Sequence, residues 1–173
     1  MMLSTPDVLL VNDGALDAQA TLMALEQVAP RATVLHLQSG QEALEYVFGT
    51  GEYRERRAGH PGLMLLTLEL HGVSGLCVLD LMRAHPSTNH IPVVLFGLEH
   101  DIRKYRRHDR FDADAYISQP CDFQRRCSVV RGCVGHWLPW ALRPGWHLTM
   151  SDRRSKAEAR AGVLQSICCR TDS

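Results

Sequence analysis

Apolar residues fall along this chain in short runs separated by longer stretches of helical spacing. Asp7 to Val11 is a brief apolar run closed by Asn12-Asp13-Gly14, a strong turn signal. From Leu16 to Val28 the residues Leu16, Ala20, Leu22, Met23 and Leu25 recur at helical spacing, and Pro30 stops that helix. Thr33 to Leu37 predicts a second strand. Ser39-Gly40-Gln41-Glu42 is a capping-box pattern opening a helix through Phe48. Gly49 to Gly62 is a glycine-rich, charged loop. Leu63 to Leu68 is almost continuously apolar, as a strand buried on both faces requires. Gly75 to Ala84 predicts a helix with Leu76, Leu79 and Met82 on one side. Ile91 to Phe96 is another apolar strand, Asp101 to Asp109 a charged helix, and Ala115 to Ile117 a last short strand ended by Pro120. Asp122 is placed to cap a helix running to Trp137.

Five strands thus alternate with five helices. Short connections and buried strands predict an α/β fold, a parallel sheet with helices on both faces. In such sheets the functional crevice lies beyond the carboxyl ends of the strands. That rule selects Asn12, Asp13, Thr67, Gly97 and Gln119. The alternation fails from Gly145, so residues 1–144 read as one domain and 145–173 as a tail, flexible or partly helical over Ala161 to Ile167.

The 173 residues are 45% hydrophobic and 22% charged, a composition that excludes wholesale disorder. No signal-peptide core and no membrane span is visible, so a soluble cytoplasmic protein is expected. The 6 cysteines form no C-x-x-C pair and the 9 histidines no H-x-x-x-H pair, which leaves a metal centre without support. The formal net charge of zero hides an asymmetry. Residues 1–100 carry 5 basic and 11 acidic residues, and residues 101–173 carry 14 and 8. The basic half bears on partners more than on fold.

Residues 7 to 144 resemble the receiver domain of two-component response regulators. Four features resemble the subgroup paired with bacterial phytochromes: Gly49-Thr50-Gly51-Glu52-Tyr53, Ile91-Pro92-Val93-Val94-Leu95, the run from Asp114 to Phe123, and His136-Trp137-Leu138 followed by Leu142-Arg143-Pro144. The resemblance implies a flavodoxin-like five-stranded sheet of order 2-1-3-4-5. It also implies a phosphorylation site with five parts. Two acids after the first strand hold Mg²⁺, an aspartate after the third accepts phosphate, a hydroxyl residue ends the fourth, and a lysine ends the fifth. Mg²⁺ and lysine offset the negative charge gathered there.

This sequence departs from that pattern at several positions together. The acid pair is Asn12-Asp13, the acceptor position holds Thr67, the hydroxyl position Gly97 and the lysine position Gln119. One carboxylate makes a poor site for Mg²⁺, which wants several oxygen ligands. Asp13 is the sole candidate cation ligand, and its plainer reading is to order the turn. Glu69 lies two residues beyond Thr67, about 7 Å along the chain. Tyr116 matches the family's switch aromatic, and Gln119-Pro120 resembles its cis-proline junction.

The expectation is therefore a degenerate receiver, a pseudo-receiver without cofactor. It is not an enzyme, since these positions offer no activated base and nucleophile. It acts by binding a protein, such as a histidine kinase or phytochrome-like sensor, and forms a homodimer through the fourth and fifth helices. Candidate interface residues are Arg103, Arg106, Arg107, Asp109, Arg110, Phe111, Asp112 and Phe123, with Arg125, Arg126 and Arg131 extending the basic face. A solvated charged face is the blander alternative. Neutral overall charge and the lack of a recognition motif weigh against nucleic acid. The alternative function is a switch driven by another input: Thr67 phosphorylation, a small ligand in the crevice, or cysteine oxidation.

Overall fold

The computed structural model describes residues 5–56, 59–106 and 112–142. The candidate interface residues Arg107, Asp109, Arg110 and Phe111, the side chain of Arg106, and the segment from Arg143 onward lie outside the described residues.

Four- and five-residue apolar runs form the strands β1 (Val8–Val11), β2 (Val34–Leu37), β3 (Leu63–Thr67), β4 (Val93–Gly97) and β5 (Ala115–Ser118). They pair in parallel in the order β2-β1-β3-β4-β5. Each parallel step needs a crossover, and the helices supply them: α1 (Ala15–Val28), α2 (Gly40–Phe48), α3 (Gly75–Ala84) and α4 (Glu99–Arg106) between strands, with α5 (Phe123–Trp137) after the last. This is the flavodoxin-like doubly wound architecture expected from the sequence.

Strand alternation divides the core into two layers. Val8, Leu10, Leu63, Leu65, Val94, Phe96 and Ile117 pack under α1 and α5. Leu9, Val11, Met64, Leu66, Val93 and Leu95 pack under α2 and α3. The side chains of β1 and β4 are all buried, which explains their unbroken apolar character.

Local chemistry sets the helix ends. Ser39 Oγ accepts from Glu42 N at 3.1 Å, while Glu42 reaches back to Gln38 N at 2.7 Å, one residue earlier than a simple capping box. Asp122 accepts from Arg125 N at 2.9 Å and starts α5. Gly49 ends α2 at φ 65°, a backbone state that favours glycine.

Three expectations need correction. In α1 the buried stripe is Ala18, Thr21, Ala24, Leu25 and Val28, while Leu16 is 84% exposed and Met23 faces solvent. The stripe is shifted because Asp17 and Thr21 are drawn towards a buried arginine described below. The charged helix begins at Glu99 rather than Asp101, with Leu98 the residue before it. Among the described residues there is no cis peptide bond, so Gln119–Pro120 is trans. In that conformation the Pro120 carbonyl meets the Arg126 guanidinium at 2.8 Å, an acceptor the buried cation uses.

Candidate functional site

The sheet register brings the five selected positions to one edge. Val11 pairs with Leu66, Thr67 with Phe96, and Gly97 with Ser118. Asn12, Thr67, Gly97 and Gln119 therefore stand side by side at the carboxyl end of β1, β3, β4 and β5. Gln119 N donates to Gly97 O at 2.8 Å, which closes the row.

Asn12 does the turn-ordering expected of Asp13. Its Oδ1 accepts from Gly14 N at 2.8 Å, an Asx-type turn, and its Nδ2 donates to Asp17 Oδ2 at 2.6 Å. Asp13 instead reaches across to the loop between β3 and α3. Its Oδ2 accepts from the His71 backbone N–H at 2.9 Å and contacts His71 Nδ1. Burial alone raises the Asp13 carboxyl, but the His71 backbone and ring outweigh it and hold the group below its ordinary value. The carboxylate that would face a cation is thus engaged by His71.

The position expected for the acceptor offers no carboxylate. Thr67 is half-buried at the end of β3, and Glu69 is exposed. Its neighbour Leu68 is 2% exposed and covers Gly97. A Cβ at Gly97 would lie 3.0 Å from Leu68 Cδ2, 3.1 Å from Leu68 Cβ and 3.2 Å from Ile102 Cδ1. Leu68, just after β3, and Ile102 of α4 thus form an apolar plug that crowds the Cβ any hydroxyl residue at the end of β4 would bring. Gln119 is half-buried and carries no charge. Among the described residues no group of three or more His, Cys, Asp or Glu is arranged to hold a metal ion.

A cation does lie near this edge. Arg126 is 6% exposed on α5 and faces α1. Its guanidinium pairs with Asp17 at 2.6 Å and donates to Thr21 Oγ1 and to Pro120 O, each at 2.8 Å. Asp17 also receives Asn12, so a polar chain runs from β1 through α1 to the β5–α5 loop. Arg126 is therefore not part of an exposed basic face: burial demands that its donors be satisfied inside, and three acceptors meet them.

The remaining sequence-selected residues disperse. Tyr116 is half-buried, packs against the α2–α3 layer, and its Oη accepts from Ala113 N at 3.4 Å. Phe123 packs against the α1–α5 layer. Arg103 is exposed and pairs with Glu99 one helical turn away, and Asp112 is exposed, with its carbonyl accepting from Arg83 Nε at 2.6 Å. Sequence reasoning missed Asp17, Leu68, His71 and the inward direction of Arg126. Asp17 and Thr21 at four-residue spacing on α1 were the available signal for a buried polar partner.

Comparison with known proteins follows the same lines. No family model matches the chain. The polar-differentiation response regulators DivK of Brucella ovis and Brucella abortus are 28% identical over 134 residues, covering 76% of this chain and 98% of theirs. The phosphorylated cyanobacterial phytochrome response regulator RcpA superposes with a TM-score of 0.66 at 29% identity, over 82% of this chain and all of its own. This chain is similar to response-regulator receiver domains in sequence and fold. The bacteriophytochrome response regulator AtBRR matches with a TM-score of 0.64 and 28% identity, over 86% of this chain and 100% of its own. The Mn²⁺-bound response regulator Rcp1 matches with a TM-score of 0.64 at 25% identity, over 81% and 100%. The chain is thus similar in fold to proteins described in phosphorylated and Mn²⁺-bound forms, while its own crevice carries Leu68, Gly97 and a His71-bound Asp13. No helix among its described residues is long and apolar enough to cross a membrane.

Proposed function

We propose that this receiver-like protein is a pseudo-receiver: a two-component signalling module that is not phosphorylated on aspartate and works by binding another protein. The observation that carries the reading is the joint state of the crevice. Thr67 stands at the acceptor position, Leu68 fills the place beside Gly97, and His71 engages Asp13. Losing one part would tune a phosphotransfer reaction. Losing acceptor, second acid, hydroxyl and lysine together removes the nucleophile, the metal and the charge that the metal and lysine offset. The apolar plug also speaks against a small ligand in the same space.

Relatives that include phytochrome response regulators favour a histidine kinase or phytochrome-like sensor as partner. Homodimerisation through α4, β5 and α5 belongs to the same reading, with exposed Arg103 and Asp112 at that surface. The test is calorimetric titration of a sensor kinase into the full chain, with and without ATP and Mg²⁺. Equal affinity in both conditions, and no phosphoryl mass gained by the receiver-like protein, is the expected result. Kinase-dependent phosphorylation of the chain would sink the proposal.

A further inference from the structure

At the opposite end of the sheet from the crevice, Arg56 and His60 fasten the described parts of the segment between α2 and β3. Arg56 donates to the carbonyls of Tyr46 at 2.6 Å, Val47 at 3.2 Å and Gly59 at 2.7 Å. Its guanidinium also lies 4.6 Å from the centre of the Tyr46 ring. Gly59 has φ 151°, and a Cβ there would meet Thr5 Oγ1 at 2.5 Å, so the chain passes tightly at this point. The next residue, His60, stacks edge-to-face on His90 with ring centres 4.9 Å apart and an interplanar angle of 76°. His90 sits in the loop joining α3 to β4. The contact therefore joins two loops at the amino ends of β3 and β4.

His60 Nδ1 is buried and finds no hydrogen-bond partner among the described residues. A neutral imidazole tolerates this as the Nε2–H tautomer, leaving one lone pair unused. An imidazolium does not: protonation places a second N–H where no described residue offers an acceptor. It also places a positive charge beside Arg56 and His90, the charged and titratable groups that act on His60 from the two loops. We propose that the His60–His90 contact is a pH-sensitive clasp that holds residues 59–62 against the α3–β4 loop while His60 is neutral and releases them when His60 is protonated.

Burial, followed by His90 and Arg56, holds His60 below its ordinary value, which agrees in direction. A base depressed in the folded state supports that state above its unfolded value and loses this support as pH falls below it. The inference does not depend on the pseudo-receiver reading.

The experiment combines imidazole NMR titration with amide hydrogen exchange on the full chain. It compares wild type with His60→Phe, which keeps an aromatic ring and removes the titration. The expected wild-type His60 midpoint lies below about 6.5, the usual imidazole value. Residues 59–62 are expected to lose protection by roughly threefold or more between about pH 7.5 and about pH 5.5, beyond the intrinsic change in exchange rate, and His60→Phe to abolish that loss. A wild-type midpoint at or above that usual value overturns the clasp, and this reading needs no variant to fold. Equal loss of protection in wild type and His60→Phe overturns it as well.

Discussion

A Cβ added at Gly97 would stand 3.0 Å from Leu68 and 3.2 Å from Ile102, so a side chain there needs one of them to give way. Restoring a hydroxyl with Gly97→Thr overpacks this contact, and we expect a loss of about 1–3 kcal/mol in urea unfolding. Trimming the plug with Leu68→Ala makes room, so the double variant is expected to be less destabilised than the two single losses combined. Strict additivity would show that Leu68 does not occupy the hydroxyl's place. Asp13 gives a second test at this scale. Its carboxyl is depressed, so its bond to His71 supports the fold above the ordinary carboxylate range and loses that role as pH falls through it. Asp13→Ala should therefore cost about 1 kcal/mol at neutral pH. The gap from wild type should narrow as pH falls below the ordinary carboxylate range. A gap independent of pH, measured by thermal unfolding, would contradict the latch. The placement of Asn12, Thr67, Gly97 and Gln119 at one edge was legible because strand ends in a parallel sheet fall together whatever their chemistry. Leu68 and His71 stayed hidden because their importance lies in what they fill and grasp across the fold, which spacing along the chain does not encode.

Among the elements, α1 and α5 are joined by Arg126 as well as by apolar packing. The guanidinium spans Asp17, Thr21 and Pro120, and no uncharged side chain offers that fork. Arg126→Met should leave Asp17 with an uncompensated charge at a largely buried junction and cost about 3 kcal/mol in the urea midpoint. Arg126→Lys is expected to recover only part, since a lysine ammonium is a point charge without the planar fork. Full recovery by lysine would reduce the network to simple charge pairing. The strands and the ends of α2 and α5 were legible because unbroken apolar runs and the Ser39 and Asp122 caps act locally. The inward face of α1 was not. Leu16 and Met23 look like core residues by hydropathy, yet the helix turns Asp17 and Thr21 inward to satisfy Arg126, and a long-range polar contact overrode the local pattern.

Across the whole molecule, charge is divided along the chain between the acidic first hundred residues and the basic rest. If the α4–β5–α5 surface pairs two copies, light scattering should give a dimer mass, and Arg103→Glu should weaken association in a salt-dependent way. A monomer at all concentrations would remove the dimer from the account without touching the crevice. The central claim is that this fold no longer carries aspartyl phosphorylation. It is tested most directly by intact mass and melting temperature of the full chain with acetyl phosphate and Mg²⁺, then with beryllofluoride and Mg²⁺. The account predicts an unchanged mass and an unchanged melting temperature. A stable phosphoryl adduct, or a rise in melting temperature with beryllofluoride that Asp13→Ala abolishes, would contradict it.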